Sequence, residues 1–183
     1  MSIILKNAIA LAFKHHNGQT RKYDGTEYVQ HVLRVGVKAY KCGNEIDGCI
    51  GVLHDTKEDT GITDEEIIGI GVGGDVVLAG VNELTNPSKE HKDKPRWKRK
   101  QIDREHLKKC SDRIKRIKLI DRIDNLLDLK EGPADFKLLY AGESMDLHAE
   151  SLSGVSPDLD IEFFEAIDDL METTIYGRNW RNQ

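Results

Sequence analysis

Apolar side chains recur three and four residues apart through most of the chain, the spacing of helices with one buried face. Ile4, Ala8, Leu11 and Ala12 form one such stripe, and Val29, Val32, Leu33, Val37 and Tyr40 form a second. A polar turn, residues 17–25, separates them. A third helix is expected over residues 45–60, closing at Gly61, because glycine takes a left-handed cap at least cost. Thr63 followed by Glu66 reads as a capping box for a fourth helix. Gly69, Gly71, Gly73 and Gly74 interrupt it, and residues 76–84 resume as a helix or, alternatively, a short strand. Residues 111–129 form a long helix that stops near Gly132 and Pro133. Amphipathic stretches 136–152 and 159–176 close the chain, with a loop at 154–157 between them. Almost nothing asks for a sheet, so the expected architecture is all-α, a single helical bundle over residues 1–183.

The chain has 183 residues, 38% hydrophobic and 32% charged, enough for one modest core and too few for two full-sized domains. The longest apolar run, residues 76–81, is far short of the roughly 18 residues a spanning helix needs. The N-terminus has no long apolar stretch with a small-residue cleavage site. A cytoplasmic protein with no membrane partner is expected. Cys42, Cys49 and Cys110 are an odd set without a CxxC pair, and read as buried thiols in a reducing compartment.

The net charge of −5 hides an asymmetry: residues 89–116 carry a local +8, which leaves −13 for the rest. Such a segment suits nucleic acid, a phosphorylated small molecule or a solvated helix. Trp97 is its one aromatic residue, too few for the stacking that single strands use. A small anionic ligand is therefore preferred over nucleic acid.

The third helix holds His54-Asp55-Thr56-Lys57-Glu58-Asp59. His54 and Glu58 are four apart, as are Asp55 and Asp59, so each pair is expected to share a face. One imidazole and three carboxylates in two turns repel unless a cation sits among them, and a divalent metal explains the cluster better than an acidic solvated end. Further ligands must come from other helices. His31 on the second helix is one candidate, and Asp121 is another. At about 100° per residue, Leu119, Ile120, Ile123, Leu126 and Leu127 form one face of the long helix. Lys118, Asp121, Asn125 and Asp128 form the opposite one. Asp124 competes with Asp121 but lies nearer the flank, so Asp121 is preferred. Two imidazoles and two carboxylates suit Mn²⁺ or another first-row ion better than Ca²⁺, and lack the thiolates of structural zinc.

In order, His31, the 54–55 pair and Asp121 have the form H…HD…D, and the chain resembles the HD-domain metal-dependent phosphohydrolases. It is similar in particular to the hydrolase domain of SpoT/Rel-type alarmone enzymes and their small stand-alone relatives. Their G-Q-x-R-K, Y-x-x-H, L-H-D-x-x-E-D-T and K-L-x-D-x-x-x-N segments read here at residues 18–22, 28–31, 53–60 and 118–125. Glu27 stands where those enzymes usually have Pro, Val32 follows His31 where Pro is common, and Ile120 replaces a small Ala. None of these removes a ligand. Residues 99–107, Asp124, Asn125 and Tyr140 also resemble a broad group of small bacterial and phage HD proteins.

The resemblance implies metal ligands His31, His54, Asp55 and Asp121, with Mn²⁺ as the ion. It implies Glu58 and Asp59 as the catalytic groups that take or orient a water's proton. Arg21 and Lys22 are expected to meet phosphate charge, one as a planar fork and one as a point charge. Asn125 is expected to offer its amide to a sugar or phosphate oxygen, and Tyr140, on the resemblance alone, to line the pocket. The expected reaction is hydrolysis of a phosphorylated nucleotide, foremost loss of the 3′-pyrophosphate of ppGpp to give GDP and pyrophosphate. The alternatives are another nucleotide phosphohydrolase (a nucleotidase or dinucleotide phosphatase) and a non-catalytic nucleotide- or nucleic-acid-binding module. Intact Glu58 and Asp59 argue against the last, because binding alone needs no proton acceptor. Homodimer formation is left open by these patterns.

Overall fold

The computed structural model describes the backbone from Ser2 to Asn179 and side chains as far as Thr174. In chain order its helices are α1 (Ile3–His15), α2 (Tyr28–Cys42), α3 (Glu45–Leu53), α4 (Thr56–Asp59) and α5 (Asp64–Ile68). They continue with α6 (Gly74–Leu84), α7 (Arg96–Leu107), α8 (Asp112–Asp128), α9 (Ala134–Leu147) and α10 (Pro157–Asn179). Short 3-10 turns at Pro87–Glu90 and Leu129–Glu131 and a π turn at His148–Leu152 join them. Among the described residues there is no strand, and residues 76–84 are helical throughout. One isolated bridge, Thr20 with Glu27, closes the polar turn before α2. No helix among the described residues is long and apolar enough to cross a membrane.

The helix α8 lies in the middle of the bundle, against α2, α3, α6, α9 and α10. Ile114, Ile117, Leu119, Ile120, Asp121, Arg122, Ile123 and Leu126 are all buried. A helix packed on several sides has no single wet face, so its apolar period stops marking inside and outside. Leu127 shows this: its spacing assigns it to the apolar face, yet it is 41% exposed. Asp121 of the polar face is 4% exposed.

A second departure is in α2. Val37 and Tyr40, placed in the buried stripe by spacing, are 54% and 49% exposed. The inward face instead carries Val29, Val32, Val35, Gly36 and Ala39. Glycine explains the rotation. A Cβ on Gly36 would lie 2.3 Å from Val52 Cγ2, and one on Gly51 would lie 2.9 Å from Gly36 Cα. The two helices meet backbone to backbone, and a close-packed interior leaves no slack there. Hydropathy gives glycine no weight, so the pattern places the stripe one step too far round.

The helix expected over residues 45–60 breaks after Leu53. Thr56 Oγ1 donates to Leu53 O at 2.6 Å, and His54 Nδ1 bonds Gly51 O at 2.8 Å. Such side-chain bonds to carbonyls compete with the helical ladder. Asp55 sits at φ −95°, ψ −8°, and α4 restarts for a single turn. The spacing argument that paired His54 with Glu58 on one helix face therefore fails. Thr60 leaves α4 extended, at φ −136°, so Gly61 is not a left-handed stop. The Thr63–Glu66 capping box opens α5 as expected. All three cysteines are free thiols, but Cys49 alone is buried. Cys42, in the last turn of α2, is exposed, and Cys110 is half-buried.

The packing argument makes a test. Gly51→Ala should destabilise the protein by about 1–3 kcal/mol, because its methyl meets backbone rather than a movable side chain. Gly142→Ala in α9, where a Cβ meets nothing within 4 Å, should instead be neutral or stabilise by up to about 1 kcal/mol. Urea unfolding midpoints at constant slope distinguish the two.

Candidate metal centre and adjoining pocket

Three parts of the fold deliver four side chains to one point. His31 comes from the second turn of α2, His54 and Asp55 from the break between α3 and α4, and Asp121 from the middle of α8. One ligand atom of each lies within 4.8 Å of all the others. His31 Nε2 is 3.5 Å from Asp55 Oδ2 and 3.3 Å from Asp121 Oδ1. His54 Nε2 is 3.1 Å and 3.4 Å from the same two oxygens.

The outer nitrogens are already committed. His31 Nδ1 faces Asp124 Oδ2 at 2.6 Å, and His54 Nδ1 faces Gly51 O at 2.8 Å. Both partners are acceptors, so each ring carries its proton on Nδ1 and presents Nε2 inward. Those two Nε2 atoms are buried and have no hydrogen-bond partner. Buried polar atoms without partners are uncommon and costly. Imidazoles with Nδ1 anchored to a carboxylate or carbonyl and Nε2 free have the arrangement that metal-binding histidines use. The donor set therefore fits a divalent ion.

Burial works against charge on every one of these groups, yet neighbouring opposite charges outweigh it: Lys118 and the two imidazoles for Asp121, the imidazoles for Asp55, and the carboxylates for the two rings. Asp55 and Asp121 are held well below the usual carboxylate range and His31 above the usual imidazole range. His54 is pushed up to about 9, with Asp55 and Asp121 overcoming its burial.

A shell of charged groups orients the cluster. Tyr28 Oη donates to Asp55 Oδ2 at 2.5 Å, and its own ionisation is pushed up by burial and by Asp55. Lys118 Nζ lies 2.9 Å from Asp121 Oδ2, and Asn125 Nδ2 donates to Asp121 Oδ1 at 2.6 Å. Arg34 spans Asp124 and Asp128, at 2.7 Å and 2.6 Å. Sequence reasoning weighed Asp124 only as a rival ligand; the structure puts it behind His31 instead.

The four residues expected at the substrate share one pocket of about 270 Å³, which Arg21, Lys22, Asn125 and Tyr140 line together with Tyr23, Tyr28 and Phe136. Tyr28 and Asn125 are also partners of Asp55 and Asp121, so the pocket opens directly beside the cluster. The aromatic rings are close: Phe136 lies 5.8 Å from Tyr23 and 6.0 Å from Tyr140. Arg21 donates to Asn125 Oδ1 at 2.7 Å and stands 3.2 Å from Asp128. The Asn125 amide is thus engaged on both ends rather than free. Lys22 is exposed at the rim, its Nζ 5.2 Å from the Tyr23 ring centroid.

Glu58 and Asp59 stand apart from the four-residue cluster, in the short helix α4. Glu58 Oε1 accepts from the Asn86 backbone N–H at 2.6 Å and from Asn86 Nδ2 at 2.9 Å. Lys89 Nζ lies 3.2 Å from Glu58 Oε2 and 3.1 Å from Asp59 Oδ1. Neither Asn86 nor Lys89 carries any local signal, since a loop asparagine and one lysine in a lysine-rich stretch are unremarkable.

The HD domain family matches residues 8–150. The chain belongs to the HD-domain family. The guanosine-3′,5′-bis(diphosphate) 3′-pyrophosphohydrolase MESH1 of Xenopus tropicalis is 36% identical over 132 residues, covering 70% of each chain. The GTP pyrophosphokinase of Myxococcus xanthus is 32% identical over 156 residues, 80% of this chain but 20% of that longer protein. A solved structure of a metazoan ortholog of SpoT that hydrolyzes ppGpp superposes with a TM-score of 0.75 at 28% identity. It covers 92% of this chain and 96% of its own. The all-α HD fold expected from the motifs is the fold found.

The anchoring of His31 is testable. Asp124→Asn removes the negative charge behind the ring and should weaken divalent-metal binding by about 10–100-fold, read by calorimetric titration with first-row metal ions, while leaving the helical circular dichroism unchanged.

Proposed function

We propose that the protein is a metal-dependent phosphohydrolase that removes the 3′-pyrophosphate of ppGpp, giving GDP and pyrophosphate. The observation that carries this reading is the junction of two sites: an aromatic, cation-lined pocket opening onto two carboxylates and two imidazoles with inward-facing, unpartnered nitrogens. The activity named for the MESH1 relatives and for the matched SpoT ortholog supports the same substrate.

His31, His54, Asp55 and Asp121 would hold the ion, and the mixed nitrogen and oxygen set favours Mn²⁺. Such an ion supplies Lewis acidity at phosphorus and lowers the pKa of water. The rings of Tyr23, Phe136 and Tyr140 offer faces to a purine. Arg21 and Lys22 place positive charge at the mouth of the pocket. Glu58 takes the proton of the attacking water, and Asp59 orients that water. The three free thiols fit a reducing compartment such as the cytoplasm.

Incubation with ppGpp and Mn²⁺ should release GDP and pyrophosphate in equal amounts, and chelation should stop it. Asp55→Ala should fall to background, and Glu58→Ala should lose about 10²–10⁴-fold in kcat. Release of orthophosphate in place of pyrophosphate, or binding of ppGpp without product, overturns the reading.

A further inference from the structure

Glu58 and Asp59 are held by a segment that none of the sequence motifs includes. Residues 86–89 leave α6, cross over α4 and enter the 3-10 turn at Pro87–Glu90. Three contacts from this segment reach Glu58. Its Oε1 takes both the backbone N–H and the side-chain amide of Asn86, and its Oε2 faces the ammonium of Lys89. The Glu58 side chain is 7% exposed, whereas Lys89 is 47% exposed. The same ammonium reaches Asp59 Oδ1. Lys89 therefore bridges the two carboxylates.

The segment is itself anchored. Ser88, 6% exposed, gives its backbone N–H to Asp103 Oδ1 at 3.1 Å and its hydroxyl to Asp103 Oδ2 at 2.8 Å. Asp103 belongs to α7, the basic helix, which otherwise takes no part in the cluster. A chain of direct contacts thus runs from α7 through Ser88 to Asn86 and Lys89, and on to the carboxylate pair.

Two physical consequences follow. A glutamate has three rotatable bonds, and fixing its carboxylate on both oxygens removes most of that freedom before any water arrives. Misplacement of a reacting group by about 1 Å can cost about a hundredfold in rate. Second, adjacent carboxylates repel each other and any phosphate that approaches; one bridging ammonium cancels one of the two charges at a range where a Coulomb term is substantial.

We infer that residues 86–89 form a clamp in which Asn86 and Lys89 are positioning residues for Glu58 and Asp59, with Asp103 of α7 as its anchor. The inference rests on the assignment of Glu58 and Asp59 to water activation. It gives the basic segment a role beyond surface charge: one lysine is spent on the proton-accepting pair, and α7 braces it from behind.

Steady-state kinetics on ppGpp test the clamp. Lys89→Met should lower kcat about tenfold to a hundredfold, with KM and the Kd for Mn²⁺ within twofold of the parent chain. Lys89→Arg should recover most of the loss, because it restores the bridging cation. Asp103→Asn, remote from the carboxylates, should lower kcat in the same sense. A rise in KM with kcat unchanged would make Lys89 a substrate contact and overturn the proposal, as would unchanged kinetics. Hydrogen exchange supplies a readout independent of turnover. The Asn86 amide should be protected in the parent chain and lose protection in Glu58→Ala; a freely exchanging Asn86 amide in the parent chain also overturns it. If the parent chain hydrolyses no nucleotide, the assigned reaction fails, and the exchange measurement still decides the clamp.

Discussion

Two carboxylates and two imidazoles, three of them buried and Asp55 partly so, lie within 4.8 Å of one another and set the terms for this molecule. Charge removed from water is costly unless it is paired and hydrogen-bonded, and every neighbouring element serves that need. The helix α2 must come close enough to bring His31 in, which facing glycines on α2 and α3 permit. The third helix must stop at Leu53 so that His54 and Asp55 turn inward. The central helix α8 must bury a polar face as well as an apolar one. The fold is arranged around an electrostatic problem at its centre, and the apolar core fills in around it.

The surrounding charges divide into two independent supports. On one side Asp124, Asp128, Arg34 and Arg21 form a lattice between α2, α8 and the polar turn, which fixes the tautomer of His31 and ties the pocket wall to the cluster. On the other, Asn86 and Lys89 reach Glu58 and Asp59 from the loop after α6. On the proposed function, metal affinity depends on the first support and proton handling on the second. This separation explains how Glu58 and Asp59 can be one turn from Asp55 in the chain yet stand outside its cluster.

The basic segment is less uniform than its composition. Arg96 pairs with Glu143 and Arg104 with Glu150, so much of its charge meets carboxylates of the following helices. Lys89 is directed at Glu58 and Asp59, and Lys100 lies beside Arg122 near the site. Only part of the local positive charge faces solvent, which agrees with a small anionic ligand better than with a nucleic-acid track.

By itself the sequence determined the helical architecture and the ordered H…HD…D motif, which depend on local periodicity and on residue types in sequence. That Arg21, Lys22, Asn125 and Tyr140 belong together was implied by the family resemblance, and the fold brings them to one pocket. Sequence reasoning preferred Asp121 to Asp124 as the ligand, and in the structure Asp121 lies with His31, His54 and Asp55 while Asp124 lies behind His31. Tertiary structure alone decided the break after Leu53, the rotation of α2 that exposes Val37 and Tyr40, and the inward turn of the polar face of α8. It decided the partners of Asp124, Asn86 and Lys89 as well. Each of these follows from what an element packs against. Glycine contacts, side-chain bonds to carbonyls and ion pairs between distant residues leave no periodic trace in hydropathy, and so become visible only when the helices meet.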